Sequence, residues 1–96
     1  MPYYSKKQYK LLGFKKSNTK NKMYDAILEH KLDGKIKKVS FGDNRYENYQ
    51  DKTKLNLYPH LIHNDEERRR RYILRAKGKV KDGFYSPSYF SFYYLW

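Results

Sequence analysis

Three stretches in the first half of the chain have the hydrophobic spacing of short strands, namely residues 9–15, 22–32 and 35–41. The polar run 17–21 separates the first two. Asp33-Gly34 separates the second from the third, and this dipeptide is typical of tight hairpins because glycine tolerates positive φ. The breaker cluster at residues 42–44 ends the pattern. The sequence therefore predicts a small three-stranded antiparallel meander over residues 9–42.

The following stretch, residues 43–63, has no consistent period. Aromatic and aliphatic residues are spaced for a helix in places, but Pro59 interrupts them. We expect an irregular linker with one short helical turn.

Residues 64–78 carry the clearest helical pattern. Asn64 is a suitable N-cap, acidic residues follow at the positive end of the helix dipole, and Gly78 follows the last turn. Glu67, at the third helical position, would complete a capping box with Asn64. The face that packs on the protein should be a narrow stripe of Arg69, Tyr72, Ile73 and Ala76.

The end of the chain is uncharged and rich in aromatic residues, which make up eight of the last thirteen positions. Ser86-Pro87 is a good N-cap followed by a first helical residue, so residues 87–95 are predicted to form a short, almost wholly apolar helix. Such a helix must be buried, either in this domain or in a partner. The residues expected in a core or protein interface are Tyr72, Tyr89, Phe90, Tyr93, Tyr94, Leu95 and Trp96.

These elements predict an α+β fold in one domain of 96 residues, with two C-terminal helices after the meander. Residues 1–8 would form a basic N-terminal arm. The chain is 39% hydrophobic and 19% aromatic, and this aromatic content favours a folded protein.

The composition excludes several classes of protein. The chain has no cysteine, which rules out disulfides, thiolate zinc sites and thiol catalysis and favours an intracellular location. No apolar run approaches the roughly 20 residues that span a bilayer, and the N-terminus does not resemble a signal peptide. We therefore expect a soluble protein without a membrane span.

The charge points to an acidic partner. Lys and Arg number 22 against 10 Asp and Glu, which gives a net charge of +12. The partner could be a nucleic acid or an acidic protein surface. Residues 1–24 contain seven lysines and no acid, either as a contacting arm or as an edge strand on which lysines discourage aggregation.

The densest basic cluster is the arginine run 68–71, with Arg75 one turn further along. Guanidinium groups suit phosphate or carboxylate recognition. The alternative is a salt-bridged helix face, because residues 65–67 each precede an arginine by four positions. The residues expected to contact nucleic acid or an acidic partner are Lys6, Lys7, Lys10, Lys15, Lys16, Arg68, Arg69, Arg70, Arg71 and Arg75.

Aromatic residues beside cations also suit single-strand binding, in which bases stack on rings. In a small domain, however, aromatic side chains are first needed for the core.

His60, His63 and Asp65 fall short of the three or four convergent ligands that a metal site needs. The chain has no phosphate-binding glycine loop, nucleophile elbow or paired carboxylates. We expect no catalysis, no cofactor and no small-molecule ligand.

A set of short motifs carries a resemblance to a known family. The motifs, in order, are Phe41-Gly42, Tyr46, Tyr49, the run 63–69, Tyr72, Arg75 and the segment from Tyr85-Ser86 to Leu95-Trp96. Over residues 22–96 the chain resembles a family of small basic proteins of nucleocytoplasmic large DNA viruses and large aquatic phages. One departure is Ala76, where the family typically has a histidine.

The resemblance implies a viral origin and no particular reaction. The residues that match the family pattern are His63, Asp65, Arg68, Tyr72, Arg75, Ser91, Leu95 and Trp96. The spacing of these residues indicates structural roles, and our hypothesis is that Asp65 caps or pairs within the arginine helix while Tyr72 and Trp96 pack the two C-terminal helices on the sheet.

These observations lead to a functional expectation, a non-enzymatic structural protein of the virion. It would be a minor capsid or cement component on the inner side of the shell, bound to capsid proteins through its aromatic C-terminus, and present in the host cytoplasm or nucleus during assembly. The alternative is a sequence-independent DNA-binding or genome-packaging protein. An intracellular regulator outside the particle is a third possibility. If folding were coupled to assembly, the isolated chain would protect its amides mainly in the 64–78 helix.

Overall fold

A computed structural model describes residues 4–80 and 83–96. The strands are β1 Tyr4–Ser5, β2 Tyr9–Lys16, β3 Lys22–His30, β4 Ile36–Asp43 and β5 Phe84–Tyr85. The helices are α1 Glu66–Ala76 and α2 Pro87–Phe90, and α2 continues as a π-helical segment, Ser91–Leu95. Short 3₁₀ turns cover Pro59–Leu61 and Lys77–Lys79. The predicted α+β fold, with a meander and two C-terminal helices, is confirmed.

The meander has the antiparallel order β2-β3-β4, in which Ala26 of β3 pairs with Phe14 on one side and Val39 on the other. The predicted hairpin between β3 and β4 is present, but its predicted two-residue loop, Asp33-Gly34, is too short. β3 ends at His30, and the chain turns through residues 31–35 with Gly34 at φ +71°. The predicted end of the meander at residue 42 is also too early, because Asp43 still pairs with Lys22.

One face of the sheet carries the core, and the C-terminal helix packs against it. Phe90 is fully buried and its ring lies 5.3 Å from that of Phe41 and 5.9 Å from that of Phe14. The fully or almost fully buried apolar cluster consists of Met23, Tyr24, Ala26, Leu28, Val39, Phe41, Phe90 and Leu95. The aromatic C-terminus is therefore part of the core of this chain.

The described part of the predicted N-terminal arm, residues 4–8, lies against the body of the protein. β1 pairs antiparallel with β5, and the Lys6 amide donates to the carbonyl of Gly83. The Lys6 ammonium lies 4.2 Å from the centre of the Tyr89 ring. Residues 1–3 of the arm lie outside the described residues.

The predicted irregular linker is also present, and its only helical turn among the described residues is Pro59–Leu61. It holds the end of the chain through its backbone. The amides of Tyr49 and Gln50 donate to the carbonyl of Leu95, and that of Lys52 donates to Tyr94. The linker therefore fixes the C-terminal helix on the side away from β5.

The N-cap of α1 is Asp65 and not Asn64, so the predicted capping box is wrong. The Asp65 carboxylate accepts from the amides of Glu67 and Arg68. Asn64 has a left-handed backbone, with φ +54°, and its side chain donates to the Tyr49 carbonyl. Of the two roles expected for Asp65, capping or pairing within the helix, the structure shows capping. The N-cap of α2 is Ser86, whose hydroxyl accepts from the Tyr89 amide, as predicted.

Candidate anion-binding cleft

The arginines of α1 point to different parts of the molecule. Arg68 donates to the Glu47 carboxylate at 2.8 Å, which ties the helix to the linker. Arg69 turns inward, where its Nε donates to the carbonyl oxygen of Trp96 at 2.9 Å. Arg70 donates to Glu67 at 2.7 Å. The run is therefore not one uniform binding face.

One of the three predicted pairs at four-residue spacing is confirmed, namely Glu67 with Arg71, whose charged groups are 3.4 Å apart. The other two do not form. The carboxylate of Asp65 is occupied by the helix cap, and Glu66 accepts from the hydroxyl of Tyr49. The pairs that form are exposed, and exposed ion pairs of this kind contribute little to stability.

The predicted contact stripe of α1 is confirmed, because the partly or fully buried positions of the helix are Arg69, Tyr72, Ile73 and Ala76. Its main contact is a parallel stack of Tyr72 on Trp96, with ring centres 4.3 Å apart and an angle of 9° between the planes. Burial raises the pKa of the Tyr72 hydroxyl above its ordinary value.

A cleft opens beside this stack, where α1 faces the turn that follows β4. We call it the Trp96 cleft. It has two lobes of about 470 and 660 Å³, and both lobes share Tyr46, Glu47, Arg75 and Trp96. Tyr46 is 65% exposed, and the guanidinium carbon of Arg45 lies 5.7 Å from the centre of its ring, so part of the ring remains open to a ligand. The other charged residues lining the lobes are Lys22, Asp43, Arg68, Arg71 and Lys79.

Among the described residues that line it, the Trp96 cleft has a positive balance, with five cations against two carboxylates. Both carboxylates already have arginine partners. Arg45 donates to Asp43 through two nitrogens and lowers its pKa to about 2. Arg68 similarly lowers the pKa of Glu47. Among residues 4–80 and 83–96, Arg75 has no carboxylate partner, so its charge is available to an anion.

His63 lies next to the stack, with its ring centre 5.2 Å from that of Trp96. Its Nδ1 accepts from the Asp65 amide at 2.8 Å. Burial, followed by the charge of Arg68, lowers the pKa of the imidazole, so the ring is neutral at pH 7. Nε2 must then carry the hydrogen, and it is buried without a hydrogen-bond partner. His63 therefore packs and positions the start of α1, and it does not line the Trp96 cleft.

The lysines predicted as contacts are on another part of the surface. β2 is an edge strand, so Lys10, Lys15 and Lys16 lie on an exposed edge as the alternative interpretation held. Lys10 is 3.6 Å from Glu29. Lys7 is exposed, whereas Lys6 is half-buried against Tyr89. None of the five lines the Trp96 cleft.

The aromatic and aliphatic residues predicted for a core or interface are mainly core. Phe90 and Leu95 are fully buried, and Tyr93 is the most exposed of the group at 43%. The remaining four, Tyr72, Tyr89, Tyr94 and Trp96, are half-buried.

Sequence reasoning missed a second exposed feature, the tip of the β3–β4 hairpin. Every residue from 31 to 38 is exposed, and Leu32 is 93% exposed. Four lysines surround it, at positions 31, 35, 37 and 38. The sequence signal for this feature was Leu32 itself, the apolar residue that extended the predicted strand to residue 32. We call residues 31–38 the hairpin tip.

No helix in the described part of the chain is long and apolar enough to cross a membrane. Within the same residues, no three His, Asp or Glu side chains converge as ligands of a metal ion. The sequence and fold were also compared with known proteins. No family model, curated protein or solved structure matches the chain.

Proposed function

We propose that the protein is a non-enzymatic structural component of a large DNA virus particle, a minor capsid protein that joins neighbouring subunits on the inner side of the shell. The family resemblance supplies the viral setting. The observation that carries the role in the particle is the hairpin tip, an exposed basic surface with a hydrophobic side chain at its end.

The hairpin tip has the chemistry of a protein-docking element. Leu32 offers an apolar group that would be dehydrated in a pocket, and Ile36 is 52% exposed beside it. The surrounding lysines would meet an acidic rim on the partner, which favours rapid and oriented association. Because the aromatic C-terminus packs in the chain's own core, the hairpin tip takes over the anchoring role that the sequence assigned to that segment.

A second basic surface supports a joining role. The arginines of α1 lie on an element separate from the hairpin tip, and the molecule is 42 Å long. A rigid body with two cationic surfaces would contact two acidic subunits at once. Such double attachment raises the effective affinity well beyond that of either contact.

Fractionation of purified virions tests this proposal. Particles are separated into shell and nuclease-treated core, and the chain is quantified in each fraction by mass spectrometry. The proposal predicts recovery with the shell. Recovery with the core, with release on DNA digestion or at raised salt, would contradict it in favour of genome packaging. Absence from both fractions would mean that the protein acts only in the infected cell.

A pair of variants tests the hairpin tip itself. Leu32→Ser should lower incorporation into particles, because it removes the apolar anchor without changing the charge. Leu57→Ser is the matched control, since Leu57 is also exposed, at 45%, but lies in the linker. Both variants should keep the wild-type melting temperature. Equal incorporation of the two would contradict a docking role for the hairpin tip.

A further inference from the structure

The Trp96 cleft joins two chemistries that the structural role in a particle does not require. Tyr46 and Trp96 line both of its lobes, and Tyr72 backs Trp96 in the stack. The stack with Tyr72 holds Trp96 in a fixed position where it lines both lobes of the cleft. A partner that offers only carboxylates would gain little from these rings.

Cations surround the aromatic surface. Arg75 lines both lobes, Lys22 and Lys79 line one, and Arg71 lines the other. Because Arg45 and Arg68 neutralise the carboxylates of the cleft, the remaining charge is positive. Ser88 and Ser91 add hydroxyl groups to the first lobe. A ligand that suits this site carries negative charge next to a flat ring.

We propose that the Trp96 cleft binds single-stranded nucleic acid, with a base against Tyr46 and Trp96 and the adjoining phosphates against Arg75 and its neighbouring cations. Bases present their faces only when they are unpaired, and this makes the ligand a single strand and not a duplex. The contacts are to rings and phosphates, so the binding does not depend on base sequence. The binding is also independent of the proposed role in the virus particle.

Trp96 reports on its own site, because it is the only tryptophan in the chain. The purified protein is titrated with a single-stranded oligothymidylate while tryptophan fluorescence is followed. Stacking of a base should quench the emission. An abasic deoxyribose-phosphate oligomer of the same length has the same charge and no rings, and it should bind at least about tenfold more weakly.

Two variants separate the roles of ring and charge. Tyr46→Ala should reduce the preference for the base-containing oligomer, because only Trp96 then remains to contact the base. Arg75→Ala should weaken both oligomers and reduce the slope of log affinity against log salt by about 0.7, which is the effect of one lost phosphate contact. Both side chains are exposed, so the variants should melt at the wild-type temperature.

Two control variants define what would overturn the proposal. Arg70→Ala removes an arginine of α1 that lies outside the Trp96 cleft and pairs with Glu67. Tyr93→Ala removes an exposed ring elsewhere. If Tyr93→Ala changed the base preference as much as Tyr46→Ala, or Arg70→Ala changed the affinity and its salt dependence as much as Arg75→Ala, the proposed site would be wrong. It would also be wrong if the abasic oligomer or a DNA duplex bound as tightly as the oligothymidylate. The virion fractionation is a separate test, and failure to recover the protein with the shell would not change the outcome of this titration.

Discussion

The two regions with the strongest sequence patterns, β3 and α1, differ in what stabilises them. Of the nine residues of β3, five are buried, including Tyr24 and Leu28. Of the eleven residues of α1, only Ala76 is buried. β3 is therefore stabilised by tertiary packing, whereas α1 depends on its Asp65 cap, its partly buried stripe and one aromatic stack.

This difference indicates a division of labour. The sheet and the C-terminal helix form a dry core that stabilises the fold, and α1 is attached at its edge with most of its charge in solvent. An element with few buried contacts can be altered at little cost to stability. Surface charge on α1 is thus free to serve binding.

The largest effect should come from removing the centre of the core. Phe90→Ala should lower the free energy of unfolding by about 3–5 kcal/mol, because a fully buried ring is lost and its cavity stays partly open. Tyr93→Ala, on the same helix but 43% exposed, should cost far less. Urea denaturation of both variants measures the difference, and similar small losses would place the core elsewhere.

Gly42 should be the next most sensitive position. Its φ is +75°, and an added Cβ would lie 2.9 Å from Cδ1 of Leu95 and 3.0 Å from Sδ of Met23. Gly42→Ala should therefore cost about 2–4 kcal/mol, from backbone strain and overpacking together.

Gly34→Ala provides the matched control for that prediction. Gly34 has φ +71° and nothing within 4 Å of the added Cβ, so only the backbone cost of about 1–2 kcal/mol remains. If Gly42→Ala and Gly34→Ala lost equal free energies of unfolding, measured by thermal or urea denaturation, the contact of Gly42 with the C-terminal helix would not be tight.

Trp96→Ala should have a smaller effect, and one confined to the α1 side. Trp96 is half-buried, so the cost should fall below the roughly 3–5 kcal/mol typical of a fully buried ring. Loss of the stack with Tyr72 should speed amide exchange in α1 and leave β3 unchanged. An unchanged melting temperature would contradict this packing, and faster exchange throughout the sheet would contradict the division between the two regions.

The smallest effect concerns pH. The pKa of His63 is lowered in the folded protein by burial and by Arg68, although Glu47 and Asp65 oppose this. As the pH falls, the unfolded chain therefore protonates this histidine at a higher pH than the folded protein does. Stability is fully present above the ordinary histidine pKa of about 6.5 and decreases as pH falls through the folded value.

His63→Asn removes this titration and keeps an acceptor for the Asp65 amide. Between about pH 7.5 and about pH 5.5 the wild type should lose more unfolding free energy than the variant. His30 and His60 are common to both proteins and cancel. A parallel decrease in the two proteins would show that His63 does not titrate in this way.

The fold could be predicted in outline from local signals. Alternation gave the meander, and Ser86-Pro87 gave the start of α2. The hairpin loop was mispredicted because apolar Leu32 extended the strand pattern, although its side chain lies in solvent. Asn64 and Asp65 are both good caps, and only the turn of the backbone at Asn64 decides between them.

The Trp96 cleft could be predicted only in part. Its arginines and Trp96 stood out as a cluster and an aromatic end. Lys22 and Lys79 did not, and Tyr46 stood out only as a motif of the family resemblance, since each is an unremarkable residue in its local sequence. They meet because the start of β3, the turn after β4 and the 3₁₀ turn that follows α1 converge, and no local pattern encodes that convergence.

Amide hydrogen exchange of the isolated chain tests the central claim most directly, namely that the aromatic C-terminus is core and α1 is peripheral. We predict the slowest exchange in β3 and in the segment 87–95, near the free energy of global unfolding, and faster exchange in α1. The reverse pattern, with protection confined to α1, would contradict the account. It would show that the aromatic C-terminus is buried only when a partner is bound.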